Sequence, residues 1–238
     1  MLSIPKEPPE LLAICEHWAV VFEKKREDAA RIEFIRGELP ALLGNDALFT
    51  GILENLVKGG NYPDIRQAQM FEAEMLLHLN RKRLFSIRMF LYGPHDYTPI
   101  HDHNSWGVSG SALGDLGVVR YRREDDGSRD GFARLTRTDH LILKPGEPEV
   151  TLPLDRGIHQ TGNPTGKTII MISVYGSPIR RLYVNRYHMR ANKVDRLYPP
   201  RIKKKMLAKQ ALSSFKAGRA PDKDQSKSFA PGGEDPNT

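Results

Sequence analysis

From Leu84 onward the apolar periodicity of the chain changes, and no other feature limits its fold as strongly. The runs LFSIRMFLY, WGVSGSALG, LGVVRYRRE, FARLTRTDHLIL, EVTLPL and KTIIMISVYG are short and rich in β-branched and aromatic residues, with clusters of Gly, Pro, Asp and Asn between them. Such runs describe strands, and the punctuation describes the turns that join them. No helical pattern intervenes, so the strands are expected to pair antiparallel and close into a sandwich or barrel. The stretch before Leu84 differs. PPELLAICEHWAVVFEKK repeats apolar residues at helical spacing, and LPALLGNDALFTGILENLV and PDIRQAQMFEAEMLLHL do so less regularly. The expected organisation is a helical region over 1–83 packed on the barrel, a β-barrel over 84–192, and a basic tail over 193–238.

The tail holds most of the charge imbalance. The chain carries a net charge of +7, and from Pro199 onward nine Lys/Arg face four Asp/Glu, which leaves only +2 for the rest. Beyond a short helix near 201–215 this Lys-, Ser-, Pro- and Gly-rich segment is expected to be disordered and solubilising. A basic tail is able to touch RNA or anionic lipid, but neither nucleic acid nor a membrane is the expected partner. No run of about eighteen apolar residues occurs, and the N-terminus MLSIPKEPPE lacks an apolar signal core. The single cysteine, Cys15, permits no intramolecular disulfide, which suits a cytoplasmic setting. Its place in LLAICEHWAVVF reads as a packed helical thiol.

One segment points to chemistry. In YTPIHDHNSWG two histidines stand one residue apart directly after a turn. Successive side chains of a strand point to opposite faces, so His101 and His103 share one face and Asp102 takes the other. Two imidazoles so placed can grip one cation, or they can be ordinary surface histidines. A third candidate ligand is His159, delivered by the Pro/Asp/Gly turn of LPLDRGIHQTGNPTG. The remaining histidines, His17, His78, His95, His140 and His188, read as surface or packing residues.

Taken together, the two blocks resemble the paired signature motifs of the cupin superfamily: Gly93, His101-Asp-His103 and Gly114 in the first, Pro153, Gly157, His159 and Asn163 in the second. Over roughly residues 10–190 the closer resemblance is to the cysteine dioxygenase family of thiol dioxygenases, through FSIRMFLYGPHDYTPIHDHNSWGVSG and HQTGNP…IIMISVYGSPI. The resemblance implies a mainly β, cupin-type double-stranded β-helix (jelly-roll) barrel with an N-terminal helical cap. It also implies ferrous iron on His101, His103 and His159, with Tyr175 reaching the substrate side. The activity implied is oxidation of a small thiol, cysteine or a mercapto-acid, to its sulfinate with O₂. Asn104, Ser105, Trp106 and Gly107 stand where many cupins carry an acidic ligand, so a carboxylate-free site is expected. Zinc also accepts three histidines, and spacing does not separate the metals.

The chain departs from the family in two places. The family's Ser-x-His-x-Tyr relay is here Met171-Ile-Ser173-Val-Tyr175, with Ser173 in place of the histidine. A hydroxyl has no proton to exchange near neutral pH. This keeps open a metal-dependent cupin acting on another small acid, or a non-enzymatic ligand-binding cupin, and leaves Tyr175 able to be a barrel-filling aromatic. Gly107 also falls near the position of the cysteine that animal enzymes cross-link to the tyrosine, so no such cross-link forms. The family's carboxylate-binding arginine has no clear counterpart in HLNRKRLFS. Strand alternation instead puts Ser86, Arg88, Phe90 and Tyr92 on one face, and Phe90 and Tyr92 match family positions that line the cavity. Arg88 is then either the counter-charge for a substrate carboxylate, a partner in an internal salt bridge, or an edge arginine facing water. Arg180 and Arg181 are further candidates at the barrel mouth.

Overall fold

The computed structural model describes residues 7–216. Three helices come first: α1 (Pro9–Lys24), α2 (Asp28–Leu43) and α3 (Asp46–Val57). Pro9 starts α1 where its missing N–H costs nothing. The Gly44-Asn45 break splits what reads as one helical stretch, and the Asn45 side chain caps α3 by accepting from the Leu48 amide at 3.0 Å. Leu11, Cys15, Trp18 and Phe22 of α1 and Ile35, Leu39, Leu43 and Ile52 of the next two helices form one buried face. Burial pushes the Cys15 thiol well up, which keeps it an inert packing group.

Eleven strands follow: β1 (Glu74–Leu79), β2 (Phe85–Tyr92), β3 (Ile100–His101), β4 (Gly107–Leu113), β5 (Leu116–Arg123), β6 (Leu135–Leu143), β7 (Glu149–Thr151), β8 (His159–Gly162), β9 (Ile169–Gly176), β10 (Val184–His188) and β11 (Lys193–Leu197). They form two antiparallel sheets, ordered β1-β2-β9-β4-β7 and β11-β10-β3-β8-β5-β6. This is the jelly-roll barrel that the sequence leads one to expect. A helix, α4 (Pro200–Lys216), stands in a separate compact unit beginning at Arg201. No helix among the described residues is long and apolar enough to cross a membrane.

Alternation on two central strands divides core from cavity. Ile87 and Met89 of β2, with Ile170, Ile172 and Val174 of β9, pack on the helices. The intervening residues turn inward, where Phe90, Tyr92, Ile169 and Met171 share a second cluster with Leu116 and Val118. The register sets Ser86 opposite Tyr175, Arg88 opposite Ser173 and Phe90 opposite Met171. The inward positions of Arg88, Phe90, Ser173 and Tyr175 are therefore fixed by this one pairing of strands.

Two boundaries need correction. Residues 63–79, expected to be helical, are turns followed by strand β1. Met75 and Leu77 join the helix-facing core while Glu74 reaches the cavity, and β1 satisfies its backbone against β2. A run of Met and Leu has helical propensity, but the open edge of β2 overrides it. At the other end β11 pairs along its whole length with β10. The strands thus run from Glu74 to Leu197 instead of 84–192, and residues 193–197 belong to the sheet and not to the tail. The expected helix near 201–215 is present as α4; the disorder expected further on concerns residues 217–238, which lie outside those described.

Candidate metal centre

β3 is only two residues long, and of the histidine pair it holds His101 alone. His101 lies directly opposite His159 of β8. The chain leaves the strand after His101, and Asp102 decides where it goes next. This aspartate is fully buried and turns away from the cavity, accepting from both terminal nitrogens of Arg181 at 3.0 and 2.6 Å and from the backbone and side-chain amides of Asn185, both at 2.8 Å. With residue 102 anchored outward, His103 is returned to the inner face.

The ligand atoms of His101, His103 and His159 all lie within 4.8 Å of one another, and this is the one such metal-capable cluster among the described residues. All three rings are buried. The Pro99 carbonyl takes a hydrogen bond from His101 Nδ1 at 2.9 Å, which fixes the proton there and leaves Nε2 free to bind a metal. His159 Nδ1 stands 3.3 Å from Thr151 Oγ1. His103 Nε2 and His159 Nε2 approach to 2.8 Å, an arrangement that two lone pairs tolerate only with a proton or a cation beside them. Three nitrogen donors without a carboxylate suit a divalent transition metal and not calcium or magnesium, which prefer oxygen.

Burial drives the His101 ring down to about 4 and those of His103 and His159 well below the ordinary imidazole value, so all three are neutral ligands near pH 7. The sign of the stability effect follows. Between about pH 6.5 and 4 the unfolded chain takes up protons that the buried rings refuse, so the metal-free fold loses stability as pH falls. For His101 alone the shift from 6.5 to about 4 amounts to about 3 kcal/mol. Urea unfolding of metal-free protein is expected to show a midpoint that declines steadily from pH 7 toward pH 4. A midpoint that stays level over this range would mean that the rings accept protons in place.

The cavity beside the cluster measures about 160 Å³ and reaches Phe71, Glu74, Arg88, Phe90 and Tyr175 as well as His101 and His103. Phe71 meets the His101 ring edge-on, with centroids 4.7 Å apart, and Tyr175 stacks on His103 at 5.7 Å. Burial pushes the Tyr175 phenol up to about 12, so it remains an O–H donor at neutral pH. Gly107 pairs across from it, and a Cβ there would stand 2.8 Å from the phenol ring. The missing side chain gives the ring its space. Ser173 is bonded to Ser109 of β4 at 2.7 Å, two buried hydroxyls facing each other in register.

Of the residues singled out in the sequence, the structure brings together His101, His103, His159, Arg88, Phe90 and Tyr175, with Ser173 beside them. Tyr92 is not among them. It stacks behind Phe90 at 5.9 Å, reaches Thr161 with its hydroxyl at 3.3 Å, and lines a neighbouring cavity of about 870 Å³ that shares Met70, Phe71 and Glu74 with the first but touches no histidine. Arg181 is committed to Asp102, and Arg180 is exposed. Arg88 does face the cavity, but an ion pair with Glu74 meets its charge. Sequence reading missed Glu74, Ser109 and the Asp102–Arg181 pair. Glu74 lay in a stretch read as helical, so its face was illegible; an aspartate between two candidate ligands is the one signal that pointed toward the pair.

No protein-family model matches the chain. Among solved structures, a cupin 2 domain-containing protein from Halorhodospira halophila is 17% identical, with 51% of this chain and 77% of that one covered at a TM-score of 0.37. A cupin-superfamily sugar phosphate isomerase from Silicibacter pomeroyi is 14% identical over 54% and 78% of the two chains, with a TM-score of 0.34. A Lactobacillus farciminis oxalate decarboxylase is 18% identical over 63% and 37%, also at 0.34. At these TM-scores the likenesses carry no weight for the chemistry, and the fold assignment stands on the strand order itself.

Proposed function

We propose that this chain is a mononuclear non-haem iron thiol dioxygenase that converts a small thiol to its sulfinate. The observation that carries the reading is the buried, carboxylate-free trio of His101, His103 and His159, of which His101 and His103 open on a small cavity that Tyr175 also lines. Three neutral imidazoles leave the charge of a divalent ion uncompensated, which favours an anionic sulfur donor. Ferrous iron, if held by His101, His103 and His159, would supply a Lewis-acidic, redox-capable centre for thiol oxidation by dioxygen. The reaction balances as RS⁻ + O₂ → RSO₂⁻: both oxygen atoms add to sulfur, the carbon–sulfur bond is kept, and no further reductant is needed.

The protein's own side chains do the positioning. Phe71 and Phe90 supply apolar walls beside the histidines. The protonated Tyr175 hydroxyl is available to donate a hydrogen bond to charge that gathers on the ligand. Ser173, tied to Ser109, orients without titrating. The test is anaerobic iron loading followed by oxygen-uptake and sulfinate assays over a panel of small thiols. One O₂ consumed per sulfinate formed is expected. An iron-loaded protein that binds thiols without taking up oxygen would overturn the dioxygenase reading and leave a metal-dependent cupin of other chemistry.

A further inference from the structure

We infer that the cavity selects thiols whose far end carries no negative charge, and that Glu74 sets this preference. The inference rests on the thiol reading above. Arg88 is the only cationic side chain among the residues that line the cavity, and its charge is already met. The Glu74 side chain is 3% exposed against 28% for Arg88, so the anion of the pair is the more deeply held. Glu74 is also not free to step aside. Its second oxygen accepts from the amides of Met70 and Phe71 at 3.0 and 3.2 Å, and Phe71 is the residue whose ring packs on His101.

A carboxylate entering beside Arg88 therefore meets one of two penalties. It can lie next to the Glu74 carboxylate where water screens poorly, or it can displace Glu74, strand a buried anion and loosen the Met70–Phe71 wall. Nor can a carboxylate close on the guanidinium from its Nε side, because Arg88 Nε has no exposed surface. An amide or hydroxyl end meets neither penalty and still accepts from the outer N–H groups. This places Glu74 as the specificity-determining residue. Arg88, which alternation alone offered as a carboxylate anchor, becomes one half of a neutral pair.

The experiment compares 3-mercaptopropionate with its near-isosteric amide, 3-mercaptopropionamide, on cobalt(II)-loaded full-length protein, read through the thiolate-to-cobalt absorption band. The wild type is expected to bind the amide about tenfold or more tightly than the acid, a difference of about 1.4 kcal/mol. Glu74→Gln releases the charge of Arg88 and should shift the ratio toward the acid by at least that factor; Glu74→Asp, which keeps the charge but withdraws it, should shift it less and in the same direction. An acid that binds the wild type as tightly as the amide, or a ratio unmoved in both variants, overturns the inference. If cobalt is bound but no thiol gives the band, the thiol reading fails. Calorimetry with propionate and propionamide on the same proteins then decides about Glu74, and no gain for propionate in the Gln or Asp variant counts against it.

Discussion

His101→Ala, His103→Ala and His159→Ala are each expected to lose stoichiometric metal, with affinity reduced by more than about a hundredfold, whereas His140→Ala is expected to retain it. The three ligand nitrogens converge on one point because β3 pairs with β8 at His101 and His159 and because Asp102 turns His103 inward. Removing any one ring leaves two donors and a void where the third stood. His140 lies on β6 opposite Val119, exposed and not part of the cluster. The fold itself should survive the ligand substitutions, since in the metal-free state each removes a buried polar ring facing two others. Elemental analysis after dialysis against a chelator, with near-ultraviolet circular dichroism as the check on folding, measures both statements. A His159→Ala protein holding metal at the wild-type ratio would remove the third ligand from the assignment.

Arg181→Met is expected to destabilise the metal-free protein by about 3–5 kcal/mol, the usual consequence of leaving a buried charge without its partner. Asp102 is fully buried, and burial already pushes its carboxyl above the ordinary carboxylate value while Arg181 and Asn185 pull it back. Without the guanidinium only Asn185 remains to hold it. The loss is also positional, because Arg181 bonds Asn104 as well and so braces both sides of His103. Metal affinity should fall along with stability. The double variant Asp102→Asn/Arg181→Met removes the stranded charge and should recover part of the stability, but not the metal affinity. Denaturant unfolding of the wild type, Arg181→Met, Asp102→Asn and the double variant gives the coupling energy directly. A cost below about 1 kcal/mol for Arg181→Met would show that solvent reaches Asp102 and that the clamp is incidental.

Glu74 and Arg181 mark where the sequence stops being informative. Local pattern alone determined which residues of β2 turn inward, because side-chain alternation is a property of a single strand. The same rule placed His101 and His103 on one face, although the strand ends between them, since Asp102 is held outward. The Pro/Asp/Gly turn before His159 and the amphipathic α1 were equally readable. What the tertiary structure decided were the partners. Whether Arg88 meets a substrate or a glutamate depends on which strand lies beside β2, and β1 lay in a stretch whose Met and Leu residues fit a helix as well as a strand. The Asp102–Arg181 contact joins residues 79 apart in the chain, and no periodicity reaches that far. The position of Tyr92, behind Phe90 and away from the histidines, follows from how far along the barrel axis each residue of β2 stands. Alternation gives the face of a strand but not the depth along it, and depth is set only when the sheets close.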